Sequence, residues 1–227
     1  MELSNGVNHK KPVPSIDRIA VLEQDAPLLS LMTRIRDEST SHRDFCAAVD
    51  RIAQRLITLA LNHVPVDSHT ITTPTGATYP GVQYTKGVCG VSVLRAGASM
   101  EHALRNTWMG PLTFGHILIQ RDERTSKAQL YYSKLPPHIK DDVVLLLEPM
   151  LATGGSVVKA VESLTGFGVP EESIVLVNVV ASKKGLDVVS TRFPELKIVS
   201  AAVDSELTAE NYISPGVGDF GDRYYGT

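Results

Sequence analysis

The sequence predicts an α/β fold with a mostly parallel central sheet flanked by helices, and three observations support this fold class. First, several short runs are almost entirely apolar or β-branched, which is typical of strands buried on both faces of a sheet. These runs lie at 88–94, 115–120, 143–147, 173–180 and 197–203. Second, segments with helical character separate most of the runs, at 98–107, 155–166 and 183–192, as in alternating α/β proteins. Third, residues 119–136 contain two strand-like runs around a charged turn, which predicts a β-hairpin projecting from the sheet.

Composition limits the class of protein and its partners. The residues are 43% hydrophobic and 21% charged with a net charge of −3, an even balance that argues against nucleic acid or a membrane surface as the main partner. The two cysteines form no C-x-x-C pair, and no apolar run approaches the roughly 20 residues of a membrane span, so we expect a cytoplasmic protein. Residues 1–16 are polar and contain proline, which predicts a flexible tail before a single domain over 17–227.

Two helices are predicted near the N-terminus. Beyond Asp25 the apolar residues have helical spacing, and a longer helix is expected from Ser41, because Ser41-x-x-Asp44 has the form of a capping box. The apolar positions of this second helix are Phe45, Val49, Ile52, Leu56 and Ala60. The segment 69–84 is rich in Thr, Gly and Pro, and we expect short extended segments and turns there.

Two strings match motifs whose structural context is missing. GVGDFG at 216–221 has the spacing of a dinucleotide-binding loop, which requires a strand before it and a helix after it. The chain ends six residues later, so we expect no helix there and exclude this function. HRD at 42–44 and DFG at 219–221 do not indicate a protein kinase, because only 41 residues precede the first motif, too few for a nucleotide-binding lobe.

The stretch LLLEPMLATGGSVVKA at 145–160 predicts an anion site. An apolar strand ends at Glu148 and a turn of small residues leads into a helix, whose first amides converge on one point. Gly154 and Gly155 allow a phosphate to approach the backbone, and Thr153 and Ser156 add hydroxyl donors. An acid one turn earlier suits ribose hydroxyls, so the ligand is a sugar phosphate or a nucleotide. The alternative is that T-G-G-S is only the start of a helix with flexible glycines.

The same stretch resembles the phosphoribosyl-diphosphate (PRPP) motif of phosphoribosyltransferases. More narrowly, it is similar to the uracil phosphoribosyltransferase branch, in which proline follows the acid. Other blocks resemble the same branch in the same order: 33–40, 89–105, 117–136 and 211–227. The resemblance implies a type I phosphoribosyltransferase-like fold with a C-terminal base-binding loop. It also implies an enzyme that makes UMP and pyrophosphate from uracil and PRPP, with Mg²⁺ held mainly through PRPP, in a homodimer or higher homo-oligomer whose contacts involve the N-terminal helices.

The resemblance also assigns the PRPP site. The ribose 5-phosphate segment comprises Glu148, Pro149, Met150, Leu151, Ala152, Thr153, Gly154, Gly155 and Ser156. Arg95 and Arg121 are implied as pyrophosphate ligands, and the planar fork of arginine suits phosphate oxygens. Arg95 follows an apolar strand, where a charge usually faces the cleft at the carboxyl edge of a sheet. Asp219 completes the implied PRPP-binding and catalytic set.

The implied uracil site lies in the C-terminal segment and comprises Tyr212, Ile213, Gly218, Asp219 and Phe220. Main-chain groups of Ile213, Gly218 and Phe220 are expected to bind uracil, and Tyr212 to form a wall of the site. Asp219 is expected to contact the ribosyl side and to assist loss of the N1 proton. The alternative is a Gly-rich tail that only caps the sheet.

The 119–136 hairpin is a candidate lid over the phosphates, with Tyr131 and Lys134 as covering side chains and Arg124 and Lys127 nearby. The sequence departs from the family pattern at two positions. Glu148 stands where aspartate is usual, and Arg124 replaces an acid. Two alternatives therefore remain: a phosphoribosyltransferase for another base, and a catalytically silent relative that binds uracil or UMP.

Overall fold

The computed structural model describes residues 17–121 and 128–227, without the side chain of Arg121. The predicted tail at 1–16 and the tip of the predicted hairpin lie outside these described residues. The helices are α1 (Ala26–Arg36), α2 (His42–Ala60), α3 (Glu101–Thr107), α4 (Gly155–Gly166), α5 (Lys183–Arg192) and α6 (Phe220–Tyr225). The strands are β1 (Ile19–Val21), β2 (Val66–Thr72), β3 (Thr78–Tyr84), β4 (Val88–Leu94), β5 (Leu112–Arg121), β6 (Ala128–Lys134), β7 (Val143–Leu147), β8 (Met150–Leu151), β9 (Ile174–Ser182), β10 (Lys197–Asp204), β11 (Glu206–Leu207) and β12 (Ile213–Ser214).

The main sheet has the strand order β1-β10-β9-β7-β4-β5-β6, and β8 pairs with β9. Neighbouring strands are parallel from β1 to β5, and only β5 and β6 within this described sheet pair in an antiparallel manner. The predicted α/β fold with a mostly parallel sheet is therefore confirmed, as are the predicted strands and the two sides of the 119–136 hairpin.

Both faces of the sheet are covered, which explains why its central strands are apolar without alternation. On β7, Leu145 and Leu147 pack into the cluster that contains the buried residues of α1 and α2. Val144 and Leu146 point to the opposite face and pack with residues of α4 and α5. Because alternate side chains enter different hydrophobic clusters, every residue of β7 is buried.

Helix α2 forms as its sequence predicts. The side chain of Ser41 caps the helix by accepting a hydrogen bond from the main-chain N of Asp44 at 3.2 Å. One face is buried against the sheet and includes all five predicted apolar positions. Over the ranges 17–121 and 128–227, no helix is both long and apolar enough to cross a membrane.

The extended segments and turn predicted at 69–84 are confirmed as an antiparallel hairpin of β2 and β3, whose first strand begins earlier, at Val66. One segment differs from the sequence prediction. The expectation that no helix follows 216–221 was wrong. Asp219 caps α6 and Gly226 ends it in a left-handed conformation, so a short helix fits before the chain ends. The dinucleotide-loop geometry is still not formed, because the preceding strand β12 belongs to a separate two-stranded sheet with β11.

Candidate active site

Two adjoining cavities lie at the carboxyl edge of the main sheet, where ligands commonly bind in α/β proteins. The larger has a volume of about 510 Å³ and is lined by residues that follow β4 and β7 and by the C-terminal segment. The smaller has a volume of about 130 Å³ and lies at the start of α4. Met150 and Ala152 line both cavities, so one ligand with two parts can occupy the two spaces together.

The described residues that line the small cavity form one continuous segment, residues 150–157. Gly154 is the N-cap of α4 with a φ of +83°, a left-handed conformation that favours glycine. A Cβ at this position would also lie 3.1 Å from Cγ2 of Val189. Glycine has no side chain that could cap the helix, and the amides of the first turn have no acceptor within the helix. These amides therefore face the small cavity, which has the size of an anion.

The turn that leads into α4 packs against the junction between β9 and α5. The hydroxyl of Ser182 donates a hydrogen bond to the carbonyl of Ala152 and accepts one from the amide of Gly185 at 2.8 Å. A Cβ at Gly185 would lie 2.6 Å from the same carbonyl oxygen, so the two segments pack backbone to backbone. This close packing holds the shape of the small cavity.

Glu148 has a different environment from the turn that follows it. Its side chain is only 8% exposed and lines neither cavity. Burial raises the pKa of Glu148 to about 8, although a hydrogen bond from the main chain of Met150 favours the ionised form. At neutral pH the buried carboxyl group is therefore mostly protonated.

The large cavity collects predicted residues from distant parts of the sequence. Those that line it are Arg95, Met150, Ala152, Tyr212, Ile213, Gly218, Asp219 and Phe220. Residues that line it but were not predicted are Ala96, Glu210, Asn211 and Gly221. The predicted PRPP segment and the predicted uracil segment thus meet in one space, although about sixty residues separate them in the chain. Pro149, like Glu148, lines neither cavity.

Arg95 follows β4 at the edge of the large cavity, and its side chain is 59% exposed. Its guanidinium lies 3.3 Å from a carboxylate oxygen of Asp222. The loop beyond it runs close to the sheet, because a Cβ at Gly97 would collide with the main-chain oxygen of Leu147. Arg121 ends β5, the strand beside β4, but its side chain lies outside the described residues.

The hairpin strand β6 begins beside the small cavity. A Cβ at Gly155 would lie 3.9 Å from that of Ala128, the first residue of this strand. Tyr131 is 56% exposed and Lys134 is also exposed. Closure of the hairpin as a lid stays a prediction, and Arg124 and Lys127 lie outside the described residues.

The loop of the C-terminal segment is anchored by residues that the sequence analysis did not identify. Arg36, at the end of α1, forms two 2.8 Å hydrogen bonds with the carboxylate of Asp204 and another with the carbonyl of Gly216. The same carboxylate accepts a hydrogen bond from the amide of Gly216 at 2.9 Å. Arg223 donates to the carbonyls of Ile35 and Val217. The only sequence signal for this anchor was the resemblance of 33–40 to a family block.

Comparison with known proteins identifies the family. A family model described as uracil phosphoribosyltransferase matches residues 22–227. The chain belongs to the uracil phosphoribosyltransferase family. This match covers both cavities and all sixteen predicted site residues, and it confirms the resemblance predicted from the sequence.

Two relatives that are named uracil phosphoribosyltransferases match along nearly their whole length. The chain is 45% identical over 216 residues to uracil phosphoribosyltransferase 2 of Schizosaccharomyces pombe, covering 95% of this chain and 98% of that protein. It is 47% identical over 211 residues to uracil phosphoribosyltransferase of Dictyostelium discoideum, covering 93% and 97% respectively. Among solved structures, the AQ2163 protein from Aquifex aeolicus matches with a TM-score of 0.80 and 27% identity, covering 92% of this chain and 98% of that one.

Proposed function

We propose that the chain is an enzyme that transfers the 5-phosphoribosyl group from PRPP to uracil, giving UMP and pyrophosphate. The observation that carries this proposal is the pair of cavities that share Met150 and Ala152. The small cavity suits a 5-phosphate, and the large cavity has room for the ribose, the pyrophosphate and a pyrimidine. Family membership supports the same reaction.

Uracil recognition is assigned to main-chain groups of the C-terminal segment. Uracil has an N3–H donor between two carbonyl acceptors, so a complementary site presents one acceptor between two donors. Ile213, Gly218 and Phe220 line the large cavity, and we assign this pattern to their main-chain groups. The loop is held by Arg36 and Asp204, which keeps these groups in fixed positions and lowers the entropic cost of binding.

The reaction forms a bond between uracil N1 and ribose C1′ while the bond from C1′ to pyrophosphate breaks. The transition state is expected to resemble an oxocarbenium ion, as in other glycosyl transfers. The chain contributes by holding the two ligands in line and by stabilising the leaving pyrophosphate with Arg95 and Arg121. Asp219 lines the large cavity, and we assign to its carboxylate the acceptance of the N1 proton.

We propose that Mg²⁺ is bound mainly through the oxygens of PRPP. Magnesium commonly keeps several waters and binds substrate phosphates together with one or two carboxylates. Within the described ranges no three His, Cys, Asp or Glu side chains gather as a metal site, and we assign no protein ligand to the ion. An ion that arrives with PRPP would supply positive charge beside the leaving pyrophosphate.

We also propose that the protein is a cytoplasmic homodimer or higher homo-oligomer. Cys46 and Cys89 are both free thiols, which is consistent with a reducing compartment. Leu29 on α1 is 49% exposed, and apolar residues on the β2–β3 hairpin such as Val82, 61% exposed, add to the apolar surface. Light scattering of the purified protein measures its mass directly, and a monomer at micromolar concentration would contradict the assembly proposal.

The test of the proposed function is product formation from a panel of bases. Purified protein is incubated with PRPP, Mg²⁺ and uracil, cytosine, orotate or hypoxanthine, and nucleotide products are separated by chromatography. We expect UMP from uracil at a rate at least about a hundredfold above any other base, because a buried hydrogen-bonding pattern rejects non-complementary ligands. Turnover of another base would support the first alternative. Binding of uracil or UMP without turnover would support the silent relative, whose motivation is Glu148 in place of the usual aspartate.

A further inference from the structure

Helix α6 connects the two ends of the large cavity. At its N-terminus, Asp219 and Phe220 line the cavity beside the proposed uracil site. At its C-terminus, Tyr225 contacts Arg95, the proposed pyrophosphate ligand. The helix therefore links two parts of the site whose ligands must be aligned for reaction.

Tyr225 contacts Arg95 in two ways. Its hydroxyl donates a hydrogen bond to the main-chain oxygen of Arg95 at 2.9 Å. The centre of its ring lies 5.7 Å from the guanidinium carbon of the same arginine, within the range of a cation–π contact. Burial raises the pKa of Tyr225 above its ordinary value, so the hydroxyl keeps its proton and remains a donor. One side chain thus contacts both the backbone and the charged group of Arg95.

Other residues hold α6 in place without the Tyr225 hydroxyl. Arg223 donates to the carbonyls of Ile35 and Asp37 at the end of α1. The hydroxyl of Tyr224 lies 3.1 Å from a carboxylate oxygen of Asp50 on α2. The ring of Phe220 packs edge-on against Phe45, with centroids 5.7 Å apart. Since these contacts fix the helix from its other side, the hydroxyl of Tyr225 acts mainly on Arg95.

The ion pair between Arg95 and Asp222 does not replace this contact. Both side chains are more than half exposed, at 59% and 53%, and they are 3.3 Å apart. Exposed pairs of this kind are screened by solvent and contribute little to order. The hydrogen bond to the main chain of Arg95 is shorter, at 2.9 Å, and Tyr225 is less exposed than either partner of the ion pair, at 38%, so it is the better-ordered link.

We propose that Tyr225 is a positioning residue for the pyrophosphate site, an inference that rests on the proposed function in which Arg95 binds pyrophosphate. Its hydroxyl fixes the backbone at Arg95, and its ring limits the positions of the guanidinium before the ligand arrives. Less conformational entropy is then lost when Arg95 binds an anion. The proposal predicts a specific effect on pyrophosphate and PRPP, and no effect on the base.

The test compares Tyr225→Phe with wild type by calorimetric titration with inorganic pyrophosphate and Mg²⁺, which requires no turnover. Loss of one neutral hydrogen bond is expected to weaken pyrophosphate binding roughly 2- to 10-fold. In steady-state assays the variant should raise KM for PRPP by a similar factor and leave KM for uracil within about twofold. Unchanged pyrophosphate affinity in Tyr225→Phe would overturn the proposal.

Tyr224→Phe is the control, because it removes a hydroxyl from the same helix whose nearer partner is Asp50 at 3.1 Å, with a longer contact to the carbonyl of Ser99 at 3.4 Å. It should lower the melting temperature without changing pyrophosphate affinity. Equal losses of affinity in both variants would show that the helix matters only as a structural element, and would overturn the proposal. In an Arg95→Ala background, Tyr225→Phe should have less than about a twofold further effect, since coupled residues are not additive.

Different results would contradict the proposed function and the positioning role of Tyr225. A wild-type protein that binds pyrophosphate but forms no UMP contradicts the proposed function, while the calorimetric comparison still tests Tyr225. A wild-type protein that forms UMP with a Tyr225→Phe variant of equal KM for PRPP contradicts only the role of Tyr225.

Discussion

The phosphate turn at 150–157 and the base segment at 211–227 are built in opposite ways. Among the described residues, those that line the small cavity are consecutive, and the first turn of α4 supplies their geometry. The base segment contains only the short elements β12 and α6 and is held by residues far away in the chain, such as Arg36, 180 positions from Gly216. Local sequence can therefore specify the first region, whereas the second depends on the whole fold.

The first prediction concerns a substitution in the phosphate turn at the N-cap of α4. Gly154→Ala places a side chain in the left-handed region and 3.1 Å from Val189, so the turn must shift. Displacements of about 1 Å can reduce catalysis roughly a hundredfold, and we expect a loss of that size in kcat/KM for PRPP. Steady-state kinetics with saturating uracil measure it.

Gly168→Ala is the control for backbone strain. Gly168 also has a left-handed φ, +86°, but a Cβ there meets nothing within 4 Å and the residue lies after the other end of α4. This variant should lose about 1–2 kcal/mol of stability and retain its kcat/KM. Equal activity losses in the two variants would mean that the turn has no special role.

The second prediction concerns the buried acid before the turn. The folded-state pKa of Glu148 is raised to about 8 from an ordinary value of 4.5, so between these pH values the folded state holds a proton that the unfolded state has lost. Its contribution to the free energy of unfolding therefore falls as pH rises through this window, by about 1.4 kcal/mol per pH unit, and levels off above pH 8. Glu148→Gln should remove this dependence.

Denaturant unfolding of wild type and Glu148→Gln at several pH values gives the difference between their free energies of unfolding. Groups that titrate in both proteins cancel, including His63, whose pKa is lowered to about 4 by burial. Glu162→Gln, on the half-exposed surface of α4, is the control and should keep the wild-type pH slope. A constant difference between wild type and Glu148→Gln from pH 5 to 8 would contradict the assignment.

The third prediction concerns the contacts that anchor the base segment to the rest of the fold. Asp204→Asn removes the charge that holds Arg36 and weakens the anchor of Gly216. Breaking a buried pair costs about 3 kcal/mol, and we expect KM for uracil to rise about tenfold while KM for PRPP changes much less. Initial-rate measurements with each substrate varied in turn separate the two effects.

Asp25→Asn is the control, because Asp25 and Arg55 form a more exposed two-bonded pair at 2.8 and 2.7 Å, at the opposite end of α1 from Arg36. It should lower stability and leave both KM values unchanged. If Asp204→Asn raised KM for PRPP more than KM for uracil, the contacts that anchor Gly216 would support PRPP binding instead of uracil binding. That result would contradict the proposed difference between the two regions.

The smallest effect is expected for one hydroxyl of the phosphate turn. Ser156 lines the small cavity, and Ser156→Ala removes a donor while leaving the main-chain amides in place. We expect a rise in KM for PRPP of roughly 2- to 10-fold, as for the loss of one hydrogen bond. Ser190→Ala on α5, whose hydroxyl makes only a 3.4 Å contact within its own helix among the described residues, should have no effect.

The same contrast explains what the sequence predicts and what it does not. The strand of Val143–Leu147, the turn and α4 follow from hydrophobic pattern and glycine chemistry within one stretch, and the structure confirms them. Helix α6 was missed because only its caps, Asp219 and Gly226, mark so short an element. The partnership of Arg36 with Asp204 was missed because a pairing across 168 residues leaves no local signal in a single sequence.

The environment of Glu148 was also beyond a single sequence. Its position after an apolar strand predicts a site nearby, but side-chain burial depends on neighbours from β9 and on the path of residues 149–150. The residue types indicate an anion site, which stays a prediction, while the protonation of the adjacent acid required the packed structure.

A crystal structure of the protein with UMP tests most directly whether the phosphate turn and the base segment bind one nucleotide together. We expect the 5-phosphate on the main-chain amides at the start of α4, between Thr153 and Val157, and the uracil ring against the main chain of Ile213, Gly218 and Phe220. A UMP molecule whose phosphate lies elsewhere, with those amides bound to other protein groups, would contradict it.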